Sequence, residues 1–273
     1  MSQRSIFVAA LSALLSACAG GSPALEYGVP TPDAVRYTYG DTTTVTVSIM
    51  GQNLEMAQRG VVDYAVAFSA APAGVNVSMT VSELEGVLSQ PMGAPVRINT
   101  DDVQGALVFA LDREGNAVIA EQLTVSMEAS QMVSGLALSH TFFPGLPGRS
   151  VAVGDMWVDT VSYQGSEGAG DRSETAVYRY TVVGDTVVSG RSLLKIDVAG
   201  NNELSATLDV QGMSVSQRSE VEVEGWVLWD AQAGLMVERR SVSSGSGTAS
   251  VPVAPGPIPI QVRSTQVVRL AGM

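Results

Sequence analysis

The chain has 273 residues, with 27 acidic side chains against 15 basic ones and a formal charge of −12. An isoelectric point near 4.4 and the lack of a basic run argue against a nucleic-acid partner, because phosphate binding needs clustered lysine and arginine. One cysteine and one histidine exclude an internal disulfide and a Cys/His zinc site, and a Ser/His/Asp site would depend on His140 alone. Only 15% of residues are charged and 45% are apolar, which indicates a core-forming chain.

The N-terminal segment has the pattern of a secretory leader. Arg4 supplies a positive charge, and an uncharged, largely apolar stretch runs from Ile6 to Ala17. Twelve residues rise only about 18 Å as a helix, which is less than the roughly 30 Å of a bilayer core. The segment is therefore expected to be cleaved, and not to span a membrane.

A lipid attachment motif is expected at the end of this leader. Leu15-Ser16-Ala17-Cys18 resembles the lipobox of bacterial lipoproteins. The resemblance implies signal cleavage between Ala17 and Cys18, diacylglycerol transfer to the Cys18 thiol and acylation of the new N-terminus. The alternative is an ordinary secretory leader in which Cys18 is a chance residue, although no second cysteine exists to pair with it.

The residues after Cys18 fit a tethered protein. Ala19 to Pro23 are small, which is typical of a flexible tether. Residue 19 is Ala and not Asp, so the sorting rule of lipoproteins implies the outer membrane. After cleavage the chain would carry 14 basic and 27 acidic residues, a charge of −13.

The body has a period of two, which predicts strands. Apolar side chains alternate with polar or small ones over Thr43 to Ile49, Val62 to Phe68 and Val75 to Val81. Short turns containing Gly or Pro join these segments, which favours an antiparallel meander.

The same pattern recurs about 115 residues later. Gly40-Asp41 recurs as Gly154-Asp155, and Gly105 to Phe109 recurs as Gly225 to Trp229. Four such segments keep their order, which predicts an internal duplication. The expected organisation is a signal peptide at 1–17, a tether at 18–34, a first β-rich repeat at 35–148 and a second at 149–273, either as two domains or as one continuous sheet.

One helix is expected, near residues 126–143, because apolar side chains there fall near helical spacing. It should end at Phe143-Pro144-Gly145, where proline and glycine stop a helix. The run 243–247 of Gly and Ser is predicted to be flexible, and the strand 260–270 is predicted to close the sheet. The predicted fold class is mainly β: two similar antiparallel β-rich modules, as a curved sheet or half-barrel, with one helix.

The segment Phe143 to Pro147, running into Val153 to Trp157, resembles a group of uncharacterised bacterial lipoproteins with duplicated β halves. Their architecture is similar to the half-barrel lipoprotein carriers and chaperones of the cell envelope. This resemblance implies a curved sheet that holds apolar cargo around a helix, and it supplies no catalytic residue.

The candidate sites have plain structural interpretations. His140 is expected to cap the helix or face solvent, and Glu220, Glu222 and Glu224 are expected to form a solvated strand face and not a metal site. We predict no catalytic residue, no metal site and no cofactor. The aromatic residues that could contact a ligand are Trp157, Tyr180, Trp226 and Trp229; Trp226 and Trp229 should lie on opposite faces of their strand.

Two functions remain from the sequence. The first is a non-enzymatic, lipid-anchored envelope lipoprotein with a filled β core and a structural or interaction role. The alternative is a carrier or chaperone that binds acyl chains or lipoproteins in the concave face of the sheet. It is favoured by eleven methionines and by the predicted strands Gly105 to Leu111 and Gly225 to Trp229, which are apolar on both faces. The expected partners are the membrane, through N-terminal acyl chains, and lipid or another envelope protein.

Overall fold

A computed structural model of the protein describes residues 24–49, 51–91, 93–167, 170–210, 213–252 and 256–272. Strands make up most of this part of the chain. They are β1 Ala24–Leu25, β2 Ala34–Ile49, β3 Gln52–Ala71, β4 Gly74–Ser89, β5 Val96–Asn99, β6 Val103–Gln104, β7 Leu107–Asp112, β8 Ala117–Glu121, β9 Thr124–Val125, β10 Arg149–Ser150, β11 Met156–Glu167, β12 Gly170–Val188, β13 Arg191–Val210, β14 Met213–Asp230, β15 Leu235–Ser250 and β16 Ile258–Leu270.

Twelve of these strands form one antiparallel sheet. Its order is β11-β12-β13-β14-β15-β16-β2-β3-β4-β7-β8. On one side of β4, β7 pairs with its N-terminal half and β5 with its C-terminal half. The sheet curls into a half-barrel, which confirms the predicted mainly β, antiparallel fold with a curved sheet and one helix. Two small separate ladders, β1 with β10 and β6 with β9, complete the β structure of the described residues.

The last strand joins the two halves of the sheet and does not close it. β16 pairs with β15 on one side and β2 on the other, with Ile260 opposite both Gly247 and Val47. On either side of β16 lie five strands in the same meander order, β2-β3-β4-β7-β8 and β11-β12-β13-β14-β15. The predicted halves thus share one continuous sheet, and their origin by duplication stays a prediction.

Glycines allow close approach of neighbouring backbones in β13, β14 and β15. A Cβ at Gly200, Gly225 or Gly245 would collide with a carbonyl oxygen of the neighbouring strand, so each position requires glycine. Gly245 lies within the run 243–247, which was predicted to be flexible. That prediction is wrong, because β14 and β16 pair with the run from both sides and hold it as part of β15.

The predicted helix forms, but it is shorter than its apolar pattern. Within 126–143 the chain makes a 3-10 helix at Ala129–Gln131 and one α-helix, α1, at Gly135–Thr141. Ser134 begins α1 by accepting a hydrogen bond from the Ala137 amide at 3.0 Å. No helix in the described ranges is long and apolar enough to cross a bilayer.

Helix α1 bridges the two ends of the half-barrel. It contacts β11 at one end of the sheet and β7 and β8 at the other. Just before it, Met132 inserts against Gly60 and Gly86, which face each other on β3 and β4 and leave a notch without side chains.

Candidate functional site: the filled concave face

The concave face of the half-barrel is occupied by two phenylalanines of the chain itself, Phe142 and Phe143, which we call the aromatic plug. The plug follows α1 directly, and residues 142–146 are all buried. Phe142 is 1% exposed, and its ring centroid lies 5.5 Å from Tyr37 and 5.7 Å from Tyr64, both edge-to-face. Edge-to-face pairs at these separations are favourable beyond the area that they bury.

Phe143 continues the same ring cluster. Its centroid lies 4.9 Å from that of Phe142. Four further rings surround it at centroid distances of 5.9 to 6.4 Å: Tyr27, Tyr37, Phe68 and Phe109. Rings from the N-terminal segment and from β2, β3 and β7 therefore converge on one side chain.

The register of the sheet explains why these rings converge. Tyr37 of β2 lies directly opposite Tyr64 of β3, so both side chains lie on the same face. Their alternation with polar or small residues is visible in the sequence, but this alternation does not distinguish them as a site. Burial raises the pKa of Tyr37 and of Tyr64, which keeps both hydroxyls protonated.

Hydrogen bonds fix the backbone that follows the plug. The Tyr27 hydroxyl donates to the carbonyl of Pro144 at 2.6 Å, and Trp157 Nε1 donates to the carbonyl of Gly145 at 3.0 Å. The Gly145 amide donates to the hydroxyl of Tyr180 at 3.3 Å. A side chain at Gly145 would overlap the carboxylate of Asp159, so this close approach requires glycine.

Three of the four aromatic residues predicted from the sequence meet around the plug. Trp157 and Tyr180 stack at 5.2 Å and 11°, and Trp229 packs edge-on against Tyr27 at 5.6 Å. Trp226 lies on the other face, beside Leu228 in a separate small cluster, as the odd spacing from Trp229 predicts. Trp157 and Tyr180 thus bind the chain's own segment.

The two residues predicted at the lipidation and cleavage site, Cys18 and Ala17, lie outside the described residues.

Arg239 reaches from β15 to the C-terminal end of α1. Its Nη1 donates to the carbonyl of Thr141 and, at 3.1 Å, to that of Phe142. A guanidinium at this position satisfies carbonyls that have no partner within the helix and complements the helix dipole. Arg239 therefore holds the junction between α1 and the plug.

His140 has structural contacts within α1. Its Nδ1 lies 2.8 Å from Ser139 Oγ and 3.0 Å from the Leu136 carbonyl oxygen, and its ring packs 5.0 Å from that of Tyr163. Ser139 is 1% exposed, and its hydroxyl donates to the same Leu136 carbonyl at 2.9 Å. The Ser139 hydroxyl is therefore buried and bonded to the backbone of its own helix.

Buried carboxylates on the concave face are held by neighbouring donors. Glu174 accepts hydrogen bonds from Tyr163, from Arg172 at 2.7 Å and from Asn202 at 2.5 Å. Burial and the charge of Glu174 raise the pKa of the Tyr163 hydroxyl. Asp41, on β2, accepts from Gln58 Nε2 at 2.7 Å in the same manner. These contacts join neighbouring strands.

The Asp159 carboxylate lies against Gly145, in the backbone that follows the plug. Burial raises its pKa, the amide of Thr160 partly opposes this effect, and the charges of Asp112 and Glu114 add to it. On the outer face the environment differs, because Glu220, Glu222 and Glu224 are all exposed, as their alternation predicts.

Two pockets lie away from the aromatic plug. One of about 210 Å³ is open to solvent and is lined by residues 31–36, the β14–β15 turn and residues 270–272. The other, a wide depression of about 590 Å³, is lined mainly by small residues such as Ala65, Ala67 and Ser78. Neither is a closed apolar chamber in the concave face.

Comparisons with known proteins give little beyond this geometry. No family model matches the chain, and no curated protein matches it. Among solved structures it is similar to the β domain of the Bordetella autotransporter BrkA (9% identity, 87% of this chain and 99% of that chain, TM-score 0.27). It is also similar to OccK5 (OpdH) of Pseudomonas aeruginosa (6% identity, 89% and 99%, TM-score 0.28) and OmpF of Salmonella typhi (6% identity, 86% and 97%, TM-score 0.23). TM-scores this low do not establish a common fold with any of them.

Proposed function

We propose that this protein is a lipid-anchored lipoprotein of the cell envelope, attached to the outer membrane through Cys18, with a non-enzymatic structural or interaction role. The observation that carries the proposed role is the aromatic plug. A half-barrel that fills its own concave face with Phe142 and Phe143 has a core at the place where a carrier would hold its cargo.

The proposed anchor is supported by the sequence Leu15-Ser16-Ala17-Cys18 and the small residues that follow it. Two or more acyl chains on one residue make membrane attachment stable, since each buried CH₂ contributes about 0.8 kcal/mol. Cleavage after Ala17 would leave Cys18 as the first residue.

The anchor is tested by replacing Cys18 with serine. We expect the wild-type protein in the membrane fraction, with the intact mass of residues 18–273 plus acyl groups, and Cys18→Ser in the soluble fraction without them. Cys18→Ala serves as a second variant, because it also removes the thiol and leaves no hydroxyl. Membrane association of both variants at the wild-type level would contradict the proposed anchor.

The absence of a catalytic role is supported by the contacts of the titratable groups. Ser139 is buried, His140 is bonded within its own helix, and Glu174 is held by three donors. Each of these groups has a hydrogen-bond partner within the protein, as polar groups in a packed interior require.

The carrier alternative makes a different prediction for the same face. Apolar cargo would need the space that the plug and the rings around it now fill. A carrier should therefore copurify with stoichiometric lipid, whereas a filled half-barrel should not.

A further inference from the structure

The outer face of β11 and β12 carries exposed apolar side chains beside the end of the sheet. Met156 and Val158 of β11 are each 61% exposed, and Val177 of β12 is 46% exposed. Val177 is paired with Thr160, the next outward residue after Val158 on β11. Val153 and Val183 are also exposed, at one end of the same two strands. We call these five residues the outer patch.

The outer patch points away from the core. Along β11 its residues alternate with Trp157 and Asp159, which face the plug. Large side chains exposed side by side on a folded domain mark an interaction surface more often than chance. Arg179, the cross-strand partner of Val158, lies within the outer patch, and its long stem can cover apolar surface while its charge stays in water.

The described chain begins next to the outer patch. Ala24 is paired with Ser150 and Leu25 with Arg149 in the β1–β10 ladder. Only a few residues separate Ser150 from Val153 and Met156. The N-terminal segment therefore joins the body at the same edge of the molecule as the outer patch.

Hydrogen bonds brace this junction. Arg149 Nη1 lies 2.9 Å from Asp155 Oδ2, which also accepts from the Ala152 amide at 3.1 Å. The Gly154 amide donates to the carbonyl of Val182 at 2.8 Å, which ties the loop to β12. The geometry between the entry of the chain and the outer patch is thus held by the fold.

The length of the tether limits how far the body can lie from an anchored Cys18. Six residue steps separate Cys18 from Ala24, and a fully extended chain spans at most about 3.6 Å per residue, so the reach is about 22 Å. An acylated Cys18 would keep the edge that carries the outer patch within that distance of the bilayer. This is less than the length of β12, which has 19 residues at about 3.3 Å each.

We propose that the outer patch rests on the phospholipid bilayer that holds the anchor, with its apolar side chains at the headgroup level. The inference depends on the proposed lipid anchor and adds a fixed orientation to it: the edge of β11 and β12 faces the membrane, and the outer face of β2, five strands further along the curled sheet, points away. Apolar side chains in such interfacial contacts lie about 5–10 Å into the boundary between headgroups and acyl chains.

The test uses the full chain, acylated at Cys18 and reconstituted in vesicles of phosphatidylethanolamine and phosphatidylglycerol. Because Cys18 is the single cysteine, an introduced cysteine is the one free thiol of the acylated protein. Val158→Cys is labelled with an environment-sensitive fluorophore, and Thr42→Cys, at an exposed position on the outer face of β2, is the control. Thr160→Cys, exposed on the same strand, replaces Val158→Cys if that variant fails to fold.

We expect the label on β11 to shift to the blue and to lose about half or more of its emission to brominated lipids, with little change at residue 42, since only a label at interfacial depth meets the quencher. Equal and weak quenching at both positions, on protein that remains bound to the vesicles, would overturn the inference and leave the anchor intact. Failure of the anchor itself looks different: protein free of the vesicles, carrying a second label on the Cys18 thiol.

Discussion

Replacing Phe143 with alanine should destabilise the protein more than any substitution on its outer face. Phe143 is 5% exposed, and its ring contacts five others in the concave face. Truncating a buried phenylalanine to alanine costs about 3–5 kcal/mol, and a site that cannot collapse lies at the upper end of that range. In a chain of this length 1 kcal/mol shifts the midpoint of thermal unfolding by about 2–4 °C, so we expect a fall of about 6–20 °C.

Urea and thermal unfolding measure this loss. Tryptophan fluorescence reports on the right region, because Trp157 and Trp229 pack around the plug. Val118→Ala, at a position 71% exposed on β8, is the control and should stay within about 0.5 kcal/mol of the wild type. If the unfolding free energy of Phe143→Ala also stayed within about 0.5 kcal/mol of the wild type, the plug would not be part of the core.

Three further substitutions test the contacts around the plug. Gly145→Ala should cost about 1–3 kcal/mol of unfolding free energy, because its Cβ would meet the Asp159 carboxylate, and much of that cost should disappear in a double variant with Asp159→Ala; an equal cost in both backgrounds would refute the overlap. Arg239→Gln should cost about 1.5–3 kcal/mol and speed amide hydrogen exchange in α1, and unchanged exchange would show that Arg239 does not cap the helix. Burial raises the pKa of Asp159, so its ionised form disfavours the folded state: Asp159→Asn should melt above the wild type at pH 7, and the difference should shrink as pH falls towards the ordinary aspartate pKa of about 3.9 and be lost below it. An advantage of Asp159→Asn that grew towards low pH would contradict this sign.

The strands could be predicted because their signal is local. Alternation over Thr43–Ile49 and Val62–Phe68 identifies the C-terminal part of β2 and the C-terminal half of β3, and it places Tyr64 and Val66 on one face, but both strands begin about ten residues earlier than this pattern. The position of β16 between the two halves could not be predicted, because it depends on pairing between Ile260 and Val47, more than two hundred residues apart.

The helix shows where a local signal overestimates an element. The apolar spacing from 126 to 143 predicts a single helix, but Met132 docks in the notch at Gly60 and Gly86, and α1 begins only after it. A tertiary contact thus replaces two turns of the expected helix. The notch is formed by β3 and β4, so residues 126–134 alone do not show that Met132 will occupy it.

The candidate site was predicted in part, for the same reason. Alternation separates Trp226 from Trp229, and three of the four aromatic residues do lie on the concave face. Their partner was not predicted, since Phe143-Pro144-Gly145 signals only that a helix ends. The segment is held against the concave face by hydrogen bonds with Arg239, Tyr27 and Tyr180. These three residues are distant from it in the sequence.

The occupancy of the concave face can be measured directly by organic extraction of the natively purified protein, followed by mass spectrometry of the extract. Acyl chains covalently bound to Cys18 would stay with the protein, so the extract reports only on cargo. A face filled by Phe142 and Phe143 predicts no stoichiometric lipid and no uptake of a fluorescent fatty acid. One lipid per chain, or saturable uptake that the Phe143→Ala variant changes, would contradict the filled core and favour the carrier.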